Sequence, residues 1–322
     1  MTMRHTKCQV CNSARYRTLF RTRDYDSGGK IVFNVVKCDK CGFIYLNPQP
    51  DDKLLSKFYV FDYYGNQSFF HKIFVFINQF IIKNKADLIL KKKKGKILDV
   101  GCGDGDFLKF MKDHGWGTYG IEPSSSGAKL AKGKLNGKIY NTVLEKAKFP
   151  NNFFDAVTIW HVLEHVDNPG KMIKEVERIM KRNGLLIIAV PNIGSIQAKI
   201  GGKKWFHLDV PRHLHHFSTK TLKALMKSNG FKVDKVQHFS FVYNLIGVLQ
   251  TLLNMTGIKF NFLHHLIKRV GRERSYINFS FIFHFVLTIF FGILFFVPSV
   301  ILSLAESFFN RGATITVYSR KI

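Results

Sequence analysis

Four of the five cysteines stand in two pairs, Cys8-x-x-Cys11 and Cys38-x-x-Cys41. Zinc takes four tetrahedral ligands and accepts thiolates readily. Two tight knuckles supply all four and leave no open position, so the pairs read as a structural zinc ribbon. A redox pair would stand beside a strand–helix–strand pattern, and neither pair does. The fifth cysteine, Cys102, lies in the run ILDVGCGDGDF, Ile97–Phe107. Gly101, Gly103 and Gly105 there allow a strand-to-helix turn whose backbone approaches a nucleotide-like ligand closely. Dinucleotide-binding turns want glycine or alanine where Asp106 stands, which speaks against a nicotinamide cofactor. Glu122 follows at the end of the next short apolar segment, where a carboxylate accepts hydrogen bonds from ribose hydroxyls.

Two histidine groups offer proton-transfer chemistry. His161, Glu164 and His165 spell H-x-x-E-H, the letters of a zinc-protease motif. The motif directly follows a short apolar strand in the same order as the glycine turn, so a protease is set aside. His161 is expected at the ligand cleft, with a packing histidine as the equal alternative. The run Trp205–His216 then gathers Trp205, Arg212, His213, His215 and His216. Histidine titrates near neutrality and can take a proton from a reacting hydroxyl. A base is expected among His161, His213, His215 and His216. Loop capping is the alternative for the last three, and spacing does not choose among them.

These residues need elements to hold them. Short apolar segments at Lys96–Val100, Thr118–Ile121, Ala156–Trp160, Leu185–Val190 and Lys232–Gln237 alternate with helical stretches such as Asp106–His114 and Pro169–Lys181. Alternation of this kind predicts an α/β fold with a doubly wound parallel sheet. Ala313–Arg320 alternates and is β-branched, which predicts a last strand. Five segments follow: a zinc-ribbon lobe over 1–50, a helical linker or lid over 51–94, the sheet domain over 95–240, a hydrophobic insert over 241–311, and the last strand over 312–322. Phe69–Ile82 in the linker is aromatic and nearly uncharged. Lys91–Lys94 is a run of four lysines at the junction.

LDVGCGDGDF followed by GIEPS resembles the glycine-rich loop and ribose-binding acid of class I S-adenosylmethionine-dependent methyltransferases. The resemblance runs on through Phe154–Val157, Trp160–Val166, Lys181–Leu186 and Val190–Asn192. It implies a Rossmann-like sheet. Asp99, Gly101, Cys102, Gly103 and Gly105 would hold the methionine part of the cofactor, Glu122 the ribose, and His161 would face the same cleft. Relatives place an acid near the adenine where Asn141–Leu144 stands here. The cysteine pairs, Leu46-Asn47-Pro48, Tyr63-Tyr64 and Trp205–Phe217 resemble a bacterial subgroup serving polysaccharide, sugar or lipid-linked pathways.

Composition bounds the surroundings. Against 49 Lys and Arg stand 22 Asp and Glu, a net charge of +27, yet 46% of the 322 residues are hydrophobic and 32 are Phe. A disordered basic tail would be poor in aromatics, so the chain is folded and its surface meets something anionic. Residues 1–23 are polar and basic, so paired cysteines are expected in a reducing compartment. Phe279–Ala305 is long enough to cross a bilayer. If the last strand rejoins the sheet, however, crossings must be even in number. Lys259–Arg274 is basic and favours the cytoplasmic side. A re-entrant or in-plane insert on the cytoplasmic face of the cell membrane is therefore expected, with Gly292 and Pro298 as possible breaks. A buried hairpin or dimer contact is the alternative. The expected activity is methyl transfer to a small-molecule or lipid-linked glycan acceptor. The rivals are an RNA methyltransferase and a non-catalytic scaffold.

Overall fold

The computed structural model describes residues 3–26, 28–59, 71–135, 138–238, 241–269 and 278–322. Tyr63-Tyr64, Arg272, Arg274 and the start of Phe69–Ile82 lie outside the described residues. In chain order the elements are β1 (Met3–Arg4), β2 (Tyr16–Arg23), β3 (Val32–Cys38), β4 (Ile44–Leu46), β5 (Gln49–Pro50), α1 (Asp52–Leu55) and α2 (His71–Leu90). Then come β6 (Lys96–Val100), α3 (Asp106–Asp113), β7 (Gly117–Ile121), α4 (Ser125–Leu135), β8 (Lys138–Tyr140), β9 (Phe154–Trp160), α5 (Pro169–Ile179) and β10 (Met180–Pro191). The last are α6 (Ile196–Gly201), β11 (His215–His216), α7 (Thr219–Ser228), β12 (Phe231–Gln237), α8 (Phe241–Met255), α9 (Phe262–Arg269), α10 (Phe279–Phe308) and β13 (Thr314–Lys321).

A seven-stranded sheet runs in the order β12-β13-β10-β9-β6-β7-β8. β6 pairs in parallel with both β7 and β9, β7 with β8, and β9 with β10. Asn192 N–H, just past β10, donates to Ala313 O, just before β13. Ile322 N–H, just past β13, donates to Gly230 O, just before β12. β13 therefore runs antiparallel to both neighbours. Parallel strands covered on both faces read as unbroken apolar runs, and Leu186, Ile187, Ile188 and Val190 of β10 are all fully buried. The helices bury one stripe each. Asn168 caps α5 by accepting from Lys171 N–H, Pro169 opens it, and Met172, Ile173, Val176 and Ile179 face the sheet at helical spacing.

Contacts group the chain into two compact units. One holds Phe61–Ala189, Lys223–Val236 and Val317–Ile322; the other holds Met1–Val60, Val190–Leu222 and Gln237–Thr316. The first contains the glycine turn and a core of Ile89, Ile97, Leu108, Met111 and Ile187. The second carries a four-stranded sheet in the order β11-β4-β3-β2. There the two-residue strand β11 adds His215 and His216 opposite Tyr45 and Ile44. Phe33, Val35, Leu46, Trp205, Leu208 and Leu214 form its core. The expected breaks at Gly292 and Pro298 do not occur, because α10 passes through both as one helix of 30 residues. A proline removes one helical hydrogen bond, and the long apolar flanks carry the helix past it.

Candidate functional site

The site is built at the carboxyl ends of β6, β7 and β9, where open parallel sheets bind ligands. Gly101 follows β6 at φ 74°, and a Cβ placed there would lie 2.4 Å from the Val162 side chain. Any other residue at Gly101 therefore forces the turn away from the β9 loop. Gly105, also left-handed, stands immediately before α3. Asp99 is 3% exposed and accepts the Thr158 hydroxyl at 2.6 Å. Burial pushes its carboxyl up to about 7. The Thr158 hydroxyl and the positive charge of Lys85 oppose that rise, and Glu122 adds to it. Cys102 is buried, with its thiol pushed well above the usual range by desolvation and by Asp99, so it is no nucleophile.

Glu122 holds the turn. Its Oε2 accepts Gly103 N–H at 2.9 Å and its Oε1 accepts Ser124 N–H at 2.8 Å. A carboxylate offers about four lone-pair positions, so both oxygens retain capacity for further donors. Asn141, where an adenine-side acid was expected, instead donates its amide to the carbonyls of Glu122 and Pro123 at 2.9 Å each. It ties β8 to the end of β7. Asp104 and Asp106 are ion-paired to Lys134 at 2.7 and 2.5 Å, so Asp99 and Glu122 are the acids that the turn keeps for a ligand.

His161 follows β9 in a left-handed backbone conformation, φ 55°. Such geometry costs a non-glycine residue on the order of 1–3 kcal/mol and gathers at functional sites. Its N–H donates to Ala189 O at 2.9 Å, which fixes the turn. Its Nδ1 lies 3.5 Å from Oε1 of Glu164; the side chains are 20% and 1% exposed. A buried carboxylate behind an accessible imidazole is the arrangement that orients a base.

The other three candidate histidines belong to the second unit. His213 Nδ1 lies 2.9 Å from His207 O, and its Nε2 lies 3.8 Å from Asp209. His215 is held in the β11–β4 ladder and stacks on Phe43 at 5.7 Å; His216 is 4% exposed in the same ladder. Arg212 is clamped by Asp209, Asp24 and Asp26 at 2.5, 3.5 and 3.6 Å. Trp205 is a core residue whose indole N–H donates to Gln197 at 3.2 Å.

The four paired cysteines converge. Sγ atoms of Cys8 and Cys41, and of Cys11 and Cys38, are 3.5 Å apart, and all four lie within 4.8 Å of one another. Tetrahedral zinc at a Zn–S distance of about 2.3 Å requires S–S separations of about 3.8 Å, so the cluster fits the ion. The two knuckles repeat one geometry. Asn12 N–H donates to Cys8 O and Gly42 N–H to Cys38 O, and both residues have positive φ, 57° and 78°. All four thiols are free of disulfides.

Two further residues act on Asp99: the Thr158 hydroxyl donates to it at 2.6 Å, and the positive charge of Lys85 bears on it. Sequence spacing alone missed Lys85 and Thr158, which reach Asp99 from α2 and from the adjacent strand. Thr158 stands opposite Asp99 in the β6–β9 register, a long-range pairing that sequence spacing does not carry.

Comparisons with known proteins agree with this geometry. An uncharacterized protein of Methanocaldococcus jannaschii is 30% identical over 165 residues, covering 51% of this chain and 78% of that protein. The mitochondrial ubiquinone biosynthesis O-methyltransferase of Dictyostelium discoideum is 28% identical over 215 residues, covering 60% of this chain and 65% of the enzyme. Among solved structures, a SAM dependent methyltransferase from Archaeoglobus fulgidus superposes with a TM-score of 0.48 at 19% identity, over 76% of this chain and 94% of that one. A family model described as a methyltransferase domain matches residues 69–236, just over half of the chain. With that match laid over the glycine turn and the acid of β7, the protein belongs to the methyltransferase-domain family.

Proposed function

We propose that the protein methylates a lipid-linked, glycan-type acceptor at the surface of a membrane, on the cytoplasmic face. The observation that carries the acceptor side is α10, which is built inside out. Its exposed residues include Phe279, Phe283, Phe290, Ile293, Val297 and Ile301, while Thr288, Ser299, Ser303 and Glu306 are its buried ones. A water-facing helix has the reverse arrangement. Apolar surface of this extent marks a membrane or protein contact.

Both ends of α10 are tied to the same unit. At its base, Glu306 accepts from Gln197 N–H at 2.6 Å and from Gln197 Nε2 at 2.8 Å. Near its start, His284 and Phe281 meet Phe262 of α9, and α9 returns His265 to Asp26 at 2.6 Å. A helix held at both ends by one unit lies along that unit and does not leave it to cross a bilayer. At about 1.5 Å per residue it is about 45 Å long, and it would lie in the plane of one leaflet with its apolar face submerged. Lys259 and Arg311 are exposed near its two ends, which suits anionic headgroups.

S-adenosylmethionine, when bound, supplies an electrophilic methyl on a sulfonium. Asp99 and the 101–105 turn hold its methionine part, and Glu122 accepts from the ribose. His161, oriented by Glu164, takes the proton from the acceptor hydroxyl. Several relatives are named O-methyltransferases, which favours oxygen as the nucleophile. Cys8, Cys11, Cys38 and Cys41 would hold a structural zinc ion.

The full chain mixed with phosphatidylglycerol-containing vesicles tests the membrane reading by flotation. It is expected to float with them and to float less with phosphatidylcholine alone. A chain that stays at the bottom with both compositions rejects the reading.

A further inference from the structure

A recess in the second unit is separate from the glycine turn. It opens between residues 22–25 at the end of β2, residues 203–212 and Phe260, and has a volume of about 250 Å³. Small-molecule pockets run to roughly 300–1,000 Å³, so this one takes a single compact group and not a whole substrate. Trp205, Leu208 and Val210 are its buried apolar lining. Its acids are committed elsewhere. Asp24 and Asp209 stand 3.5 and 2.5 Å from Arg212, which is itself 7% exposed. Asp24 also accepts Asp26 N–H at 2.9 Å.

Its donors are not committed. Arg23 and Lys203 are exposed and pair with no carboxylate among the described residues. Lys204, beside the recess, lies over rings instead of an acid: its Nζ is 4.5 Å from the Tyr25 centroid and 5.6 Å from that of Phe260. The Arg23 guanidinium is 5.5 Å from the same Tyr25 ring. A ring face attracts a cation but accepts none of its N–H bonds in the way a carboxylate does. Thr22 is 4% exposed, and its buried hydroxyl has no hydrogen-bond partner among the described residues. Positive charge and donors are therefore in surplus, and what completes them is a compact anion rich in acceptor oxygens. Phosphate has that chemistry. Position indicates its source. Next to Phe260, Lys259 N–H donates to His284 of α10 at 3.3 Å, and Phe262 packs on Phe281 of the same helix. The rim thus continues into the first turns of the helix whose apolar face is exposed.

We propose that this recess binds the phosphate of a lipid headgroup, with Arg23 and Lys203 as its cations. For the source of that phosphate it rests on the membrane reading of α10. The recess then gives the membrane contact a preference among headgroups, which an apolar helix face does not supply.

The test is flotation of the full chain with phosphatidylcholine vesicles that carry either phosphatidic acid, whose headgroup is a bare phosphate, or phosphatidylserine, at matched surface charge. The wild type is expected to partition about tenfold more strongly to phosphatidic acid, the step that one charge-assisted contact gives. Arg23→Gln combined with Lys203→Gln is expected to lose that preference. Lys129→Gln combined with Lys132→Gln removes two exposed lysines of α4, hence the same charge, and is expected to keep it. Equal partition of the wild type to both vesicles overturns the proposal and needs no variant to fold. An equal loss in the two double variants also overturns it, since bulk charge then explains the binding. Release from the vesicles by a short RNA but not by glycerol 1-phosphate overturns it as well, because the recess then takes nucleic acid. A wild type that floats with no vesicle removes the membrane reading. Calorimetric binding of glycerol 1-phosphate, lost in the Arg23→Gln, Lys203→Gln variant, would then still support the phosphate site with a soluble ester as its ligand, and no such binding removes the site too.

Discussion

Replacing Glu122 separates its two tasks. The carboxylate accepts Gly103 N–H at 2.9 Å and Ser124 N–H at 2.8 Å, so it holds the turn as well as offering acceptors to a ribose. Glu122→Ala leaves both backbone donors without that partner. Gly103 and Ser124 are only partly buried, so water replaces much of what is lost, and the cost falls near the low end, about 1 kcal/mol for each. A loss of about 2 kcal/mol lowers the melting temperature by roughly 4–8 °C for a domain of this size. Glu122→Gln is no gentle control, because its NH₂ group would face an N–H and leave one donor opposed by another. The cofactor side adds the bonds to the ribose hydroxyls. Their loss is expected to weaken S-adenosylmethionine by about 1–3 kcal/mol, roughly tenfold to hundredfold in Kd. Titration calorimetry on the folded variant reads this directly. An S-adenosylhomocysteine analogue lacking both ribose hydroxyls should lose far less, because only the turn's contribution remains. Affinity within about twofold of wild type for S-adenosylmethionine refutes the ribose assignment. An equal loss for both ligands refutes it too, and leaves Glu122 as a turn-holding residue alone.

Three further outcomes follow from other parts of the molecule. The Asp99 carboxyl is pushed up to about 7 by burial, so between the ordinary carboxylate range and pH 7 the folded chain keeps a proton that the unfolded chain has lost. Its contribution to stability is fully present below about pH 4 and falls as pH rises to about 7, by on the order of 4 kcal/mol; Asp99→Asn should be correspondingly flatter in thermal unfolding from pH 5 to 8, and an unchanged slope contradicts the assignment. Zinc analysis should give one ion per chain, and Cys38→Ser should abolish binding and expose the β2–β4 lobe to proteolysis; full occupancy in the variant rules out the four-thiolate site. Phe290, Ile293 and Val297 are 61%, 74% and 62% exposed on α10. Serine at all three should remove about 4 kcal/mol of transfer free energy and reduce vesicle partition roughly a thousandfold, whereas undiminished flotation shows that this face does not meet lipid.

Much of the sheet could be read before the structure because its signals are local. Buried parallel strands are apolar runs, and the glycine turn announces itself within Ile97–Phe107. β8 was not legible: three residues, Lys-Ile-Tyr, carry no period. Nor was β11, since His215 and His216 owe their strand to Tyr45 and Ile44 far along the chain. Long-range pairing also changed the reading of the Trp205–His216 run. Its density of histidine, arginine and tryptophan allows either a base or a set of loop-capping residues. Arg212 is instead neutralised by Asp24 and Asp26, and Trp205 is a core side chain bonded to Gln197. The convergence of the four cysteines was legible because their spacing is itself the signal. The inside-out character of α10 was not, because a hydropathy pattern shows that a helix is apolar without showing which face its few polar residues occupy. Thr288, Ser299, Ser303 and Glu306 face inward.

The central claim is methyl transfer from S-adenosylmethionine to a membrane-borne acceptor. Incubating the full chain with methyl-labelled S-adenosylmethionine and a membrane lipid extract, then separating lipid, RNA and protein fractions, tests it most directly. Label is expected in the lipid-extractable fraction and is lost in His161→Ala and Glu122→Ala. Label confined to RNA, or to no fraction while the cofactor is shown to bind, contradicts it.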